Sequence, residues 1–272
     1  MSPPERAHRN RRPRSDKHKP AGGGTETIYG RNAVLELVRA GRRQVHRLRV
    51  AEGAKERGAL QEVLAAGRDG EIPIERVPRA ELDLLCDGHQ GVVAETTPYP
   101  YVSLDPILER AKNSNQAPLI LLLDVLQDPQ NVGTLMRTAL AVGVHGVILP
   151  PRRSVGVTPG VVAASAGTCE HLLVSTGNLV QVMDRLKAED LWILGLEPGT
   201  GAQSLDELDL TVGIGLVVGG ESGGMRRLVR ESCDVWVRLP MLEGIDSLNA
   251  AVAGAIMLYT IWRERGYVGA RA

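Results

Sequence analysis

The chain reads as an α/β protein in two parts, on three observations. Apolar strand-like runs alternate with helical stripes along most of its length. The pattern changes scale near Ile107, where a proline-bearing stretch gives way to longer apolar runs. Three polar or glycine-rich turns then fall at junctions with helices, two of them directly after apolar strands, where open α/β sheets bind ligands.

The elements follow in order. Residues 1–25 combine Pro, Arg and Lys with a triple glycine and few apolar side chains, which predicts a disordered basic arm. A small domain is expected over residues 26–96. Asn32 to Arg39 has helical spacing and Gly41 ends it. Val45–Val50 alternates as a strand. Glu56–Ala66 predicts a helix, Pro73–Val77 a strand, Ala80–Leu85 a helix and Gly91–Glu95 a closing strand. About 70 residues is a plausible size for a core of its own. Pro98 and Pro100 mark a linker over 97–106.

A larger α/β domain with a mostly parallel sheet is expected over residues 107–272. Leu119–Asp124 predicts a buried strand, and Asn131–Val142 a helix with Gly143 beyond it. Val144–Leu149 is a strand, Thr158–Ala166 helical, Leu172–Val174 extended and Leu179–Ala188 helical. Leu191–Leu196, Ile214–Val218 and Val235–Leu239 are strands. A final helix, rich in Ala and Gly, follows a Ser247 cap.

Composition narrows the function. At 43% hydrophobic and 24% charged, with no Phe and 3% aromatic residues, the chain has the profile of a soluble globular protein with aliphatic cores. No apolar run is long enough for a membrane span, and the first residues have no signal-peptide core. Cys86, Cys169 and Cys233 lie far apart, so neither a disulfide framework nor a metal spacing is visible, and a cytoplasmic location is the default. The formal net charge of zero hides an asymmetry. Residues 1–20 hold seven basic and two acidic side chains, leaving 25 basic against 30 acidic in the remainder. Such an arm suits a polyanion such as RNA, with a merely solvated tail as the alternative.

The first turn, Asp124 to Arg137, follows a strand and opens a helix. Asn131 is expected at its N-cap. Val132, Leu135, Met136 and Ala139 form the apolar stripe, and Arg137 projects away from it. The second turn wraps Gly219, Gly220, Gly223 and Gly224 around Glu221, a loop able to approach a ligand closely. The third runs from Leu239, Pro240 and Met241 to Ser247, Leu248 and Asn249, with free helix N–H groups nearby. Each taken alone has a plain structural explanation as a cap or a loop. Pro198–Gly201 hints at a nucleotide-binding turn but lacks the full glycine pattern. Glu170 and His171 form a pair more often structural than catalytic.

Taken together and in this order, the turns resemble the signature motifs of the SpoU (TrmH-type) branch of the SPOUT RNA methyltransferases: Asn-x-Gly-x-x-x-Arg, Gly-x-Glu, and Pro-Met…Ser-Leu-Asn. Ser165-Ala-Gly167 with Glu170-His171 is similar to the bacterial subgroup that methylates a guanosine ribose of 23S ribosomal RNA. The segments starting at Tyr29 and His89 resemble that subgroup's substrate-binding domain. Ser222, where many relatives have Gly, and Ala163 and Ala164, where a basic residue is frequent, depart from the pattern.

The resemblance implies a C-terminal α/β trefoil-knot (SPOUT) methyltransferase domain behind a small α/β RNA-binding domain. It also implies a homodimer and bound S-adenosylmethionine, with no metal and no membrane. Gly219, Gly220, Leu239, Met241, Ser247 and Leu248 would hold the cofactor. Asn131, Arg137, Glu221, Ser247 and Asn249 would surround the transferred methyl and the ribose. The family's arginine at position 137 has been viewed as a base. Because a guanidinium stays protonated, an oxyanion-stabilising and phosphate-clamping role is expected here. Glu221 would hold Arg137 or a ribose hydroxyl. The rivals are the same chemistry on transfer RNA, a non-catalytic ribosome- or RNA-binding protein, and a Rossmann-type nucleotide enzyme.

Overall fold

The computed structural model describes residues 24–197, 201–220, 223–245 and 247–271. The expected arm up to residue 23, residues 198–200 of the expected glycine turn, Glu221, Ser222 and Asp246 lie outside the described residues.

The small domain is built from β1 (Glu26–Tyr29), α1 (Arg31–Ala40), β2 (Val45–Ala51), α2 (Ala59–Asp69), β3 (Ile74–Val77), α3 (Arg79–Leu85) and β4 (Val92–Thr96). Its sheet runs β1-β4-β2-β3, antiparallel at β1/β4 and β4/β2 and parallel at β2/β3. Strand β1 was not expected, because four residues carry too little alternation to announce a strand. Its Ile28 is fully buried.

The large domain begins with α4 (Leu104–Lys112), inside the stretch expected as linker. Pro106 is compatible with this helix because it sits in the first turn, where a missing N–H costs no helix bond. There follow β5 (Leu119–Asp124), α5 (Pro129–Ala141), β6 (Gly146–Leu149), α6 (Pro159–Ala164), β7 (Val174–Thr176) and α7 (Leu179–Lys187). The chain ends with β8 (Trp192–Leu196), β9 (Ile214–Gly219), α8 (Arg227–Glu231), β10 (Val235–Val237) and α9 (Ala250–Glu264). The six strands are parallel in the order β10-β8-β9-β5-β6-β7. All six residues of β5 are buried, as a strand covered on both faces requires.

Two helix starts differ from expectation. Asp128, not Asn131, caps α5: its carboxylate accepts the Gln130 N–H at 3.0 Å, and Pro129 takes the first helical position. Asn249, not Ser247, caps α9, its side chain accepting from the Ala251 and Val252 N–H groups at 2.9 and 3.2 Å. The earlier start of α5 places Asn131 inside its first turn, and the later start of α9 leaves Ser247 ahead of the cap.

The sheet divides the core. Helices α5, α6 and α9 pack on one face, and α4, α7 and α8 on the other. The first cluster continues into the small domain through Ile28, Val34, Leu37 and Leu48, so the two sheets share one apolar core. The junction is tight. Gly167 has φ +85°, and a Cβ there would lie 2.8 Å from the Ala33 Cα. Beside it Arg43 and Glu170, both fully buried, form an ion pair at 2.8 Å, and Arg43 also reaches Glu26 at 2.7 Å. Tyr99 lies under the Arg43 guanidinium, 4.9 Å from ring centre to charge.

Candidate active site

Strand order places the site. From β5 the chain winds outward through β6 and β7, then crosses to the other side and returns through β8 to β9, which pairs with β5. The segments leaving β5 and β9 diverge, α5 to one face and α8 to the other. That divergence opens a crevice at the carboxyl ends of the strands, the position where such sheets take ligands. Asp124 and Gly219 end the two strands side by side.

The crevice is packed to backbone contact. A Cβ on Gly220 would stand 2.6 Å from the Val125 carbonyl oxygen, and one on Gly219 2.6 Å from both the Gly224 carbonyl carbon and the Met225 nitrogen. These glycines are required by close approach, since neither has positive φ. The Asp124 carboxylate, fully buried, accepts the Arg226 N–H at 2.8 Å and pairs with its guanidinium at 2.7 Å, fixing the far end of the glycine loop to β5. Gly133 serves α5 in the same way. A Cβ there would meet the Ala164 Cβ at 2.5 Å and the Ser165 nitrogen at 2.9 Å, so the motif glycine lets α6 lie directly on α5.

A cavity of about 530 Å³ opens beside this loop. Gly219 and Gly220 line it at the end of β9, Leu239 and Met241 from the segment after β10, and Ser247, Leu248 and Asn249 from the approach to α9. The structure thus brings together all six residues expected to hold the cofactor. The helix can come so close because Gly254 is wedged against Leu135 and Val218, where a Cβ would fall 2.6 Å from the Leu135 Cδ2. Volume and character, glycine backbone with apolar walls and few polar groups, fall in the small-molecule class of roughly 300–1,000 Å³.

Asn131 joins this group from the first turn of α5: the Asn249 amide donates to its side-chain oxygen at 3.1 Å. Arg137 does not line this cavity within one chain. Six residues beyond Asn131 advance a helix about 9 Å and about one and two-thirds turns, which leaves the two side chains roughly 120° apart around the axis. Its exposed side chain lines a second groove of about 720 Å³ with Thr134, Thr138, Ile256, Tyr259 and Arg263. Among the described residues its guanidinium makes no ion pair. Glu221 lies outside the described residues.

One charged lining residue was missed. Glu197 follows β8 into the cavity, one-fifth exposed and paired with Arg230 at 2.9 Å. Its signal was position: an acid at the carboxyl end of a strand in a parallel sheet. It was obscured by the glycine turn that follows it. Glu170, by contrast, belongs to the domain junction. Burial pushes its carboxyl above the usual carboxylate range, and the Arg43 guanidinium opposes that shift. His171 bonds Glu36 of α1 at 2.8 Å, again across the junction. Among the described residues no cluster of His, Cys, Asp or Glu suits a metal, and no helix is long and apolar enough to cross a membrane.

The comparisons with known proteins agree with this geometry. Residues 118–259 match the SpoU rRNA methylase family, and residues 27–102 match the RNA 2′-O ribose methyltransferase substrate-binding family. A Bacillus subtilis relative, the TrmH family tRNA/rRNA methyltransferase YacO, is 39% identical over 244 residues, covering 89% of this chain and 97% of its own. A Staphylococcus aureus relative of the same description is 38% identical over 244 residues, with the same coverage. The crystal structure of the SpoU methyltransferase AviRb from Streptomyces viridochromogenes superposes with TM-score 0.75 at 27% identity, over 90% of this chain and 91% of that one. Its complex with the cofactor AdoMet gives 0.74 at 26% identity, over 90% and 92%. Crevice, motifs and relatives together make this chain a member of the SpoU rRNA methylase family.

Proposed function

We propose that this protein methylates the 2′-hydroxyl of a guanosine ribose in 23S ribosomal RNA, as a homodimer, from a C-terminal domain tied in a trefoil knot. RNA methyl transfer with S-adenosylmethionine comes with the family. The observation that carries the reading is the Asn249–Asn131 hydrogen bond at the mouth of the glycine-lined cavity. It joins the first and third motifs at one point.

When bound, S-adenosylmethionine supplies an electrophilic methyl group on a sulfonium. The remaining work falls to the chain. Backbone of Gly219, Gly220, Leu239 and Met241 and the side of Leu248 would hold the adenosine. Glu197, a carboxylate lining the cavity, suits a ribose hydroxyl. Asn131, Ser247 and Asn249 orient the target hydroxyl, a poor nucleophile that needs its developing negative charge stabilised. Arg137 is assigned that stabilisation, with Glu221 holding either Arg137 or a ribose hydroxyl.

Dimerisation fits the exposed face of α9. Ala250, Ala251 and Gly254 are consumed by packing within the chain, yet Val252, Ile256 and Tyr259 remain 42–52% exposed in one stripe beside Arg137. A second copy on this face would cover the stripe and bring Arg137 into an interface. Mapping 2′-O-methylation across ribosomal and transfer RNA, with and without the gene, tests the substrate. A lost methyl on a 23S guanosine is expected; a loss confined to transfer RNA would replace the ribosomal reading. Sedimentation at micromolar concentration tests the dimer.

A further inference from the structure

A basic surface lies at the carboxyl edge of the large sheet. Arg152 and Arg153, in the loop after β6, face Arg226 and Arg227 at the start of α8 across a groove of about 820 Å³. One carboxylate among the lining residues, Glu231, offsets these four arginines, and it is held by Arg227 at 2.9 Å. The Arg226 charge is committed to buried Asp124. Arg152 and Arg153 are exposed and make no ion pair among the described residues. In the small domain Arg39, Arg47, Arg49 and Arg76 are paired with glutamates of their own domain, while exposed Arg57, Arg68 and Arg79 make no ion pair among the described residues.

The loop is held firmly, and its anchors give its position. The Ser154 hydroxyl and the Val155 N–H both donate to the Leu126 carbonyl at 2.9 Å, in the segment between Asp124 and the start of α5. The Val157 N–H donates to the Tyr101 hydroxyl at 2.8 Å, in the chain that leaves the small domain. The two arginines therefore stand on a rigid bridge between the substrate-binding domain and the crevice. Leu228, 59% exposed, gives the groove an apolar patch among the charges.

We propose that this groove binds the phosphates of the RNA strand that flanks the methylated nucleotide, through Arg152, Arg153 and Arg227. The assignment rests on the RNA methyltransferase reading above. The loop is anchored to both the segment that leaves the small domain and the segment that leaves β5, so a strand running from one to the other can reach its arginines. A guanidinium fork matches a phosphate with two parallel hydrogen bonds and gives a base a surface to stack on. Such contacts fix the strand without reading its sequence.

The test is the double variant Arg152→Ala/Arg153→Ala of the full chain. Its probes are a labelled 30-nucleotide single-stranded RNA of mixed sequence and an unmodified 23S transcript. RNA affinity should fall about tenfold at moderate salt, and the slope of log affinity against log salt should flatten by about 1.4, for two contacts at roughly 0.7 each. KM for the transcript should rise with kcat within about twofold, and S-adenosylmethionine affinity should stay unchanged. Arg152→Lys/Arg153→Lys should keep most of the slope. The control Arg110→Ala/Lys112→Ala removes two charges from the far end of α4. The proposal is overturned by wild-type affinity and slope, by an effect no larger than the control's, or by loss of polyglutamate binding with RNA binding intact. A wild-type protein that binds RNA through the groove and methylates none would sink the enzymatic reading alone. One that methylates RNA while the double variant binds as tightly would sink the groove alone.

Discussion

The Asn249 side chain donates to the Asn131 side chain at 3.1 Å, across 118 positions of sequence, while its own oxygen caps α9 through two backbone N–H groups. One asparagine thus fixes both the start of α9 and the first turn of α5. Asn249→Ala removes the cap and the bridge together. We expect a stability loss of about 1–2 kcal/mol from the cap and a fall in kcat of roughly a hundredfold from lost orientation. Asn249→Asp keeps an acceptor for the cap but cannot donate to Asn131. It should restore stability without restoring turnover. Urea unfolding and methyl incorporation, measured on both variants, separate the two roles. Equal recovery of both would mean that Asn249 is only a cap.

Arg137→Ala should leave cofactor binding intact, because Arg137 lines the Tyr259 groove and not the glycine-lined cavity. Turnover should fall by about 10²–10³, the usual loss for one preorganised contact to developing negative charge. Calorimetry with S-adenosylmethionine and a methyl-transfer assay on the same preparation check both halves. Turnover within about threefold of wild type would remove Arg137 from the reaction.

Much of this arrangement was legible in the sequence. The central strand Leu119–Asp124 announced itself because a strand covered on both faces must be apolar throughout. The glycine loop was legible because close backbone approach excludes side chains. What the sequence did not show were relationships across the fold. Asn131 and Ser247 looked like caps, since asparagine and serine suit that role; the structure gives the capping to Asp128 and Asn249. The last helix showed only that it is rich in Ala and Gly. Its Gly254 is spent on Leu135 and Val218 within the chain, and the outward stripe is Val252, Ile256 and Tyr259. Arg137 looked like a neighbour of Asn131, although helical rotation carries it to another groove.

Gly220→Val should weaken S-adenosylmethionine binding for a reason other than collision with the cofactor. Its Cβ would fall 2.6 Å from the Val125 carbonyl oxygen, a backbone atom that cannot swing aside. The glycine loop must then lift off the segment that leads to α5. Cofactor affinity should weaken at least tenfold while the far-ultraviolet circular dichroism stays near wild type. Unchanged affinity in the folded variant would show that the loop yields without cost.

His145 sets a pH dependence of stability. Its Nδ1 accepts the Leu119 N–H at 3.0 Å, so its Nε2 carries the proton and donates to the Ser114 hydroxyl at 2.8 Å. Burial holds its pKa below the ordinary value of 6.5. The folded state therefore favours the neutral ring, while the unfolded chain takes up a proton as pH falls through about 6.5. Stability contributed by this group is complete above that pH and declines below it. Denaturant midpoints between pH 8 and pH 5 should drop more steeply for wild type than for His145→Gln. Parallel curves would assign the slope to other groups.

The Arg43–Glu170 pair makes the domain junction the place where one substitution should cost most. Both side chains are fully buried, and Arg43 bridges Glu170 to Glu26 of β1. Glu170→Ala leaves a guanidinium in the interior with only the partly exposed Glu26 as carboxylate partner. Breaking one side of a buried pair typically costs about 3–5 kcal/mol. Removing both charges has a different balance, since the desolvation of the pair disappears with its attraction. Arg43→Met/Glu170→Leu should therefore recover at least half of the loss. Because the pair ties α1 and β1 to the turn that follows α6, which itself rests on Gly133 of α5, the single variant should also loosen the small domain. Limited proteolysis should then cut the chain between residues 97 and 103 sooner than in wild type. Urea unfolding of the three proteins gives the energies. A Glu170→Ala loss below about 1 kcal/mol, with cleavage at the wild-type rate, would reduce the pair to a bystander at a junction held by its apolar core.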